Sequence, residues 1–256
     1  MQSYELRLPS PRQTEEFTEG MIQFLFPLRG NKNITVGCLS EEWERLGCLL
    51  VSLLSAIPHD ELADDLSKRF FAVIPSIHEQ LLEEASHFLS CDPAAKSVEE
   101  VLLCYPGFYA IAIYRLANEL FRMKIPVLPR AMSGYAHSKT GIEIHPGATI
   151  GRNFYIDHGT GVVIGETTEI GDNVKIYQGV TLGAMYVEKS MQNKKRHPTI
   201  EDNVIIYAGS AILGGNTVIG SNTIIGGNVW LTESVPPFSM VYHKPEVTIK
   251  RMKNEE

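Results

Sequence analysis

Val162-Val163-Ile164-Gly165-Glu166-Thr167-Thr168-Glu169-Ile170-Gly171-Asp172-Asn173-Val174-Lys175-Ile176-Tyr177-Gln178-Gly179-Val180-Thr181-Leu182-Gly183 decides the fold, because its aliphatic residues return every six positions. Outward from this stretch the same interval joins Ile144, Ile150, Ile156 and Val162, then Ile164, Ile170, Ile176 and Leu182. It continues through Ile200 and Ile206, and then Leu213, Ile219, Ile225 and Leu231. A helix repeats near 3.6 residues and a strand at 2, so neither makes this period. Glycine often follows the aliphatic residue, as at Gly151, Gly165, Gly171, Gly183, Gly220 and Gly226, and a small or β-branched residue often precedes it by two, as at Thr168, Val174, Val180, Val204 and Thr223. One aliphatic and one small side chain per hexad point inward, and glycine supplies the backbone freedom that a tight corner needs. The expectation is a solenoid of short strands stacked around an aliphatic column.

Two interruptions stand out, because inserted residues cannot enter the column and must project outward, where loops bind ligands. Between Leu182 and Ile200 the segment 184–197 loses the pattern and turns polar, with Lys189, Lys194, Lys195 and Arg196. It reads as an excursion of about a dozen residues whose lysines suit a phosphate-bearing ligand, or as a solvated basic loop. A two-residue slip separates Val162 from Ile164, just after Asp157-His158-Gly159-Thr160-Gly161. Histidine exchanges protons near neutral pH. His158 is therefore the candidate general base, with Glu143, less than one coil away, as a carboxylate to orient it.

Upstream the period changes. Trp43, Leu46, Leu50, Leu53, Leu54 and Ile57, then Leu62, Leu66, Phe70 and Val73, follow helical spacing, and a further helix is expected over Phe108 to Met123. Breaks are expected at Pro58, Pro75, Pro93 and Pro106, with Ser40 and Asp92 as N-caps and Ile125 to Arg130 as the joint between halves. The division is a helical N-terminal domain at 1–137, whose first 35 residues form an arm without clear period, a β-helix at 138–240, and a tail at 241–256.

A net charge of -7 at pH 7 argues against nucleic acid or an anionic membrane as partner. No signal peptide or membrane-length apolar run is present in the sequence, so a cytoplasmic location is expected. Cys38, Cys48, Cys91 and Cys104 form no C-x-x-C pair, which leaves partly buried free thiols as the expectation and no metal site.

The residues around His158 also resemble the serine acetyltransferase family of hexapeptide-repeat transferases. Glu143-Ile144-His145-Pro146, Asp157-His158-Gly159-Thr160-Gly161, Gly165-Glu166-Thr167, Gln178-Gly179-Val180-Thr181-Leu182-Gly183 and Arg196-His197-Pro198 carry the likeness, with Pro106-Gly107-Phe108-Tyr109-Ala110 at the end of the helical half. It covers residues 90 to 235 well and the first 80 poorly. The resemblance implies an α+β protein whose C-terminal part is a left-handed parallel β-helix, contrary to the usual right-handed crossover. It implies direct transfer of acetyl from acetyl-CoA to the hydroxyl of L-serine, the first step of cysteine biosynthesis, with His158 as base held by Glu143, where the family usually has aspartate. Asp92 and Asp157 would hold the serine ammonium, and Arg196 its carboxylate, with His197 assisting. Backbone donors near Gly183 and Ala184 would face the thioester oxygen. Ala208 and Gly227 would let the CoA arm approach closely. The resemblance also implies L-cysteine as feedback inhibitor and a homotrimer or dimer of trimers with sites between subunits. The tail Val241-Tyr242-His243-Lys244-Pro245 departs from the family's pattern, and the ending Lys253-Asn254-Glu255-Glu256 lacks the isoleucine that the family inserts into O-acetylserine sulfhydrylase, which argues against that complex.

Three rival readings share parts of this pattern. An acyltransferase acting on a sugar or antibiotic would keep the base but not an amino-acid clamp. A zinc hydratase would need His145, His158 and His197 to converge. A scaffold without catalysis would leave the Asp157-His158 and Arg196-His197 pairs unexplained.

Overall fold

The computed structural model describes residues 8–27, 36–186, 194–244 and 249. Among the described residues six helices come first: α1 (Pro11–Leu25), α2 (Val36–Ser55), α3 (Ala63–Cys91), α4 (Val98–Cys104), α5 (Pro106–Arg122) and α6 (Leu128–Thr140). Five of the sequence expectations change here. The first 35 residues contain a packed helix, α1, started by Pro11 and by the Ser10 hydroxyl, which accepts from the Gln13 N–H. Its buried face mixes Phe17, Met21, Ile22 and Leu25 with Thr14, Thr18 and Gly20, which dilutes the apolar period. Ser40 lies inside α2 rather than capping it. Pro75 does not break α3, because Phe70, Phe71, Ile74, Leu81, Ala85 and Phe88 bury one face on both sides of it. Asp92 closes α3 as its C-cap instead of opening a helix, and the cap of the next helix is Ser97, whose hydroxyl accepts from the Glu100 N–H at 3.2 Å. The expected joint at Ile125 to Arg130 is shorter, since α6 already begins at Leu128 after Val127 turns the chain at φ 64.

Fourteen short strands follow among the described residues, each of two or three residues, from β1 (Glu143–Ile144) to β14 (Met240–Val241). They stack into three parallel sheets, ordered β1-β4-β7-β10-β13, β11-β8-β5-β2 and β14-β12-β9-β6-β3, so every third strand shares a face up to β13, and β14 joins β12 after the single Ile219–Val235 bridge takes the intervening place. This is the left-handed β-helix of the hexad pattern, a three-sided prism. Register corrects the sequence reading at two points. Ile164 pairs with Ile144, so Val162 is the inward small residue of its coil and not the column residue. Ile212, not Leu213, pairs with Leu182 and Leu231. The extra residue sits at the Gly214-Gly215 corner, where Gly214 takes φ 103. The pairing of Ile170 with Ile200 spans thirty residues, twelve more than one eighteen-residue coil, which is the length of the polar excursion. Residues 187–193 of it, including Lys189, lie outside the described residues.

The helices close the open first end of the prism. Tyr114 donates to the Ala148 carbonyl at 2.6 Å, and Asn118 to that of Pro146 at 2.7 Å. Arg115 donates to the carbonyls of Ile150 and Gly151, both at 2.6 Å, and pairs with Glu84 of α3 where both side chains are buried. These bonds satisfy first-coil carbonyls that burial would otherwise leave costly. Burial pushes the Glu84 carboxyl up, and Arg115 opposes that shift. At Gly107 any β-carbon would lie 2.2 Å from the Ile156 carbonyl, so glycine lets α5 touch β3 immediately beside Asp157. Cys38, Cys48 and Cys104 are exposed and only Cys91 is partly buried, so three of the four thiols sit further out than expected. No helix among the described residues is long and apolar enough to cross a membrane.

Candidate active site

The face built from β1, β4, β7, β10 and β13 has an edge on either side, and the sequence-selected residues other than Glu143 divide between the two. The first edge is where the chain turns from β3 (Tyr155–Ile156) into β4 (Val163–Ile164), from β6 (Lys175–Ile176) into β7 (Thr181–Gly183), from β9 (Ile205–Ile206) into β10 (Ala211–Leu213) and from β12 (Ile224–Ile225) into β13 (Trp230–Leu231). Backbone bonds stack these corners: Gly179 to Thr160, Gly209 to Gln178 and Asn228 to Ala208, at 2.8 to 3.0 Å. His158, Asp157, Ala208 and Gly227 therefore lie along one line parallel to the prism axis.

His158 occupies the two-residue slip, with φ 54, a left-handed conformation that costs a side chain energy unless its surroundings enforce it. Gly159 follows with φ 84, and a β-carbon there would lie 2.4 Å from Ile142. The strained corner turns the imidazole outward, 73% exposed, with its Nε2 3.7 Å from the Asp157 carboxylate. Asp92 reaches the same edge from the end of α3, close enough for the charge of His158 to act on it. Its carboxylate accepts from the Tyr105 hydroxyl at 2.5 Å and the Ala94 N–H at 2.8 Å, and these bonds, the tyrosine first, hold it below the usual carboxylate range. Tyr177 and Tyr207 stack above Asp157 with centroids 4.9 Å apart. Glu143 lies on the face itself, with its carboxylate 3.7 Å from the Arg130 guanidinium, and among the described residues its ion pair is with Arg130 rather than with His158.

The second edge joins β1 to β2 (Thr149–Ile150), β4 to β5 (Glu169–Ile170), β7 through the excursion to β8 (Thr199–Ile200), and β10 to β11 (Val218–Ile219). Here lie Gly183, Ala184, Arg196 and His197. His197 is buried, with Nδ1 accepting from the Thr167 N–H at 3.1 Å and its ring against Gly165, where a β-carbon would lie 2.0 Å from Cδ2. The Thr167 hydroxyl accepts from the N–H groups of Arg196 and His197 at 2.9 and 3.1 Å, which leaves its own proton for Nδ1 at 2.9 Å. Nδ1 is thus an acceptor, and Nε2 carries the ring's proton. Burial first, then Arg196, lowers the His197 pKa to about 4, so the ring is a neutral donor near pH 7. His145, also lowered to about 4 chiefly by burial, accepts from the Gly147 N–H at 2.9 Å. Arg196 pairs with Glu166, and Lys195 with Glu169 at 3.0 Å. Gly183 accepts from the Gly214 N–H at 3.0 Å and gives space to Leu213. Among the described residues, no group of three or more His, Cys, Asp or Glu could hold a metal ion. His158 stands on a different edge from His145 and His197.

The sequence reading missed Tyr105, Tyr177 and Tyr207. The two later tyrosines follow column residues Ile176 and Ile206 directly, so the hexad period already placed them on the first edge without marking them as site residues. Nothing in the spacing signals Tyr105, whose contact with Asp92 is made by the turn between α4 and α5.

A hexad-built prism with an exposed histidine at one edge defines the hexapeptide-repeat class of left-handed β-helix proteins. No family model matches the chain. A plasmid-borne serine acetyltransferase of Synechococcus elongatus is 50% identical over 184 residues, covering 70% of this chain and 57% of the relative. The serine acetyltransferase of Bacillus subtilis is 49% identical over 165 residues, covering 64% of this chain and 74% of the relative. The crystal structure of Entamoeba histolytica serine acetyltransferase isoform 3 in complex with cysteine matches with TM-score 0.84 and 34% identity, covering 93% of this chain and 84% of that one. The chain belongs to the serine acetyltransferase family.

Proposed function

We propose that the protein transfers acetyl from acetyl-CoA to the hydroxyl of L-serine, giving O-acetyl-L-serine and CoA, in the cytoplasm and at a site built where the first edge of one subunit meets the second edge of its neighbour. The observation that carries this is the division of the clamp. Asp92, Asp157 and His158 share one edge, while Arg196 and His197 share the other, and a whole prism face separates them within one chain. A single small amino acid reaches both sets only across a subunit boundary. The face between the edges exposes Val163 and Trp230, apolar side chains suited to burial against another copy. The assembly is a homotrimer or a dimer of trimers.

In this reading Asp92 and Asp157 bind the serine ammonium, and Arg196, already paired with Glu166, binds its carboxylate. His158 takes the hydroxyl proton as the oxygen attacks the thioester carbonyl, and returns it to the leaving sulfur when the carbon–sulfur bond breaks. Glu143 would turn from Arg130 toward the His158 ring in the assembled site. His197, neutral with its proton on Nε2, donates to the developing negative charge, beside backbone donors near Gly183 and Ala184. The CoA arm lies along Ala208 and Gly227. L-cysteine, with the same ammonium and carboxylate, would occupy the same clamp, as the cysteine-bound Entamoeba relative suggests. The test is thiol release from acetyl-CoA with L-serine, D-serine or amino sugars, each with and without L-cysteine. Release with L-serine alone, suppressed by L-cysteine, is expected. Release with an amino sugar and none with L-serine would replace this reading by that of a sugar acyltransferase.

A further inference from the structure

We infer that Tyr105 is a positioning residue for substrate binding, fixing the Asp92 carboxylate that takes the substrate's ammonium. The inference rests on the reading just given and adds a residue from the helical half to it. Asp92 ends α3 on a backbone that is no longer helical, with φ -105 and ψ 111, so nothing in the helix itself directs its side chain. Two donors do. The Ala94 N–H holds Oδ1 at 2.8 Å, and the Tyr105 hydroxyl holds Oδ2 at 2.5 Å. Tyr105 is itself held: it caps α5 directly before Pro106, and its ring meets Phe88 edge-on with centroids 6.3 Å apart. Phe88 in turn packs on Tyr155 of β3 at 4.6 Å, two residues before Asp157. Gly107 brings the start of α5 against Ile156, so the same turn that aims Tyr105 also docks the helical half beside Asp157. The hydroxyl is the donor, since the neighbouring carboxylate raises the phenol to about 12. A carboxylate with one lone pair fixed on each oxygen keeps its remaining lone pairs for an ammonium in one direction. This arrangement spares the binding step the entropy of ordering the side chain.

The test is Tyr105→Phe, which keeps the ring on Phe88 and removes only the hydroxyl. KM for L-serine should rise about tenfold or more, the loss of one hydrogen bond to a charged group, while kcat and KM for acetyl-CoA change far less. In an Asp92→Asn background the same substitution should add little, since the two residues act as one unit. An equal KM for L-serine in Tyr105→Phe and the parent would overturn the inference. So would a loss confined to kcat. If the parent releases no thiol with L-serine, the functional reading fails, and carboxyl titration of Asp92 followed by NMR still decides the pairing. Its midpoint should move to higher pH in Tyr105→Phe, and an unmoved midpoint would overturn the assignment. His158 at the corner, Tyr155 of β3 and Tyr177 after β6 also act on Asp92, and Glu100 of α4 and Asp157 act on Tyr105; all are common to both proteins.

Discussion

The two edges of the prism each present a histidine, and they treat it in opposite ways. His158 stands outward on a left-handed corner, 73% exposed, with one carboxylate 3.7 Å away. His197 is 8% exposed, its Nδ1 held by Thr167 and its ring pressed on Gly165. One edge leaves its ring open to solvent beside a carboxylate. The other fixes a ring whose Nδ1 is occupied as an acceptor and whose Nε2 is left to donate. The difference shows that a shared residue type means little until its corner is known. The same six-residue repeat builds both environments, and the extra residues at each break in the repeat set them apart.

The comparison can be broken most directly at the base. His158→Ala should lower kcat by about 10²- to 10⁴-fold with an unchanged melting temperature, as expected for loss of a general base at an exposed position. A rate within tenfold of the parent would remove the assignment. The second edge should respond to a smaller change. Gly165→Ala drives a methyl into the His197 ring, and the ring must leave its place. We expect about a 10²-fold loss of kcat/KM, comparable to losing one oxyanion donor, accompanied by a lower melting temperature. Loss of stability without loss of turnover would mean that His197 only packs.

The smallest effect sharpens the contrast through pH. The unfolded chain's histidines titrate near their ordinary value of about 6.5. His145 and His197 titrate near 4 when folded, so below pH 6.5 the unfolded state binds more protons than the folded one. Stability from these two groups is therefore full above pH 6.5 and falls as pH drops toward 4. Melting temperatures measured between pH 7 and 4 should decline, and more gently in His145→Gln and His197→Gln. Parallel declines in all three proteins would contradict the neutral-donor role.

The prism was legible from Ile164, Ile170, Ile176 and Leu182, because each coil must return an aliphatic residue to the column. The pattern failed at Val162 and Leu213 for a physical reason: a corner insertion shifts the register, and a neighbouring aliphatic residue fits the period equally well. Residues 1–35 hid α1 because threonines and Gly20 occupy buried positions, and Gly20 does so to let Leu46 approach, where a β-carbon would be 2.7 Å from its Cδ2. Asp92 was selected from family likeness and misread as an N-cap, since an Asp-Pro pair resembles a helix start locally. Its hydrogen bond from Tyr105, thirteen residues on, depends on how α4 and α5 turn, and spacing alone carries no record of that.

Mixed oligomers test the division of the site between two chains. His158→Ala and Arg196→Ala, each inactive alone, are unfolded together, refolded at equal amounts and assayed for thiol release with L-serine. If each site takes its first edge from one subunit and its second from the next, random assembly leaves about one site in four intact, and about a quarter of parental activity should return. No recovery from a mixture shown to contain both chains in one oligomer would mean that base and clamp belong to the same chain, and would contradict the account.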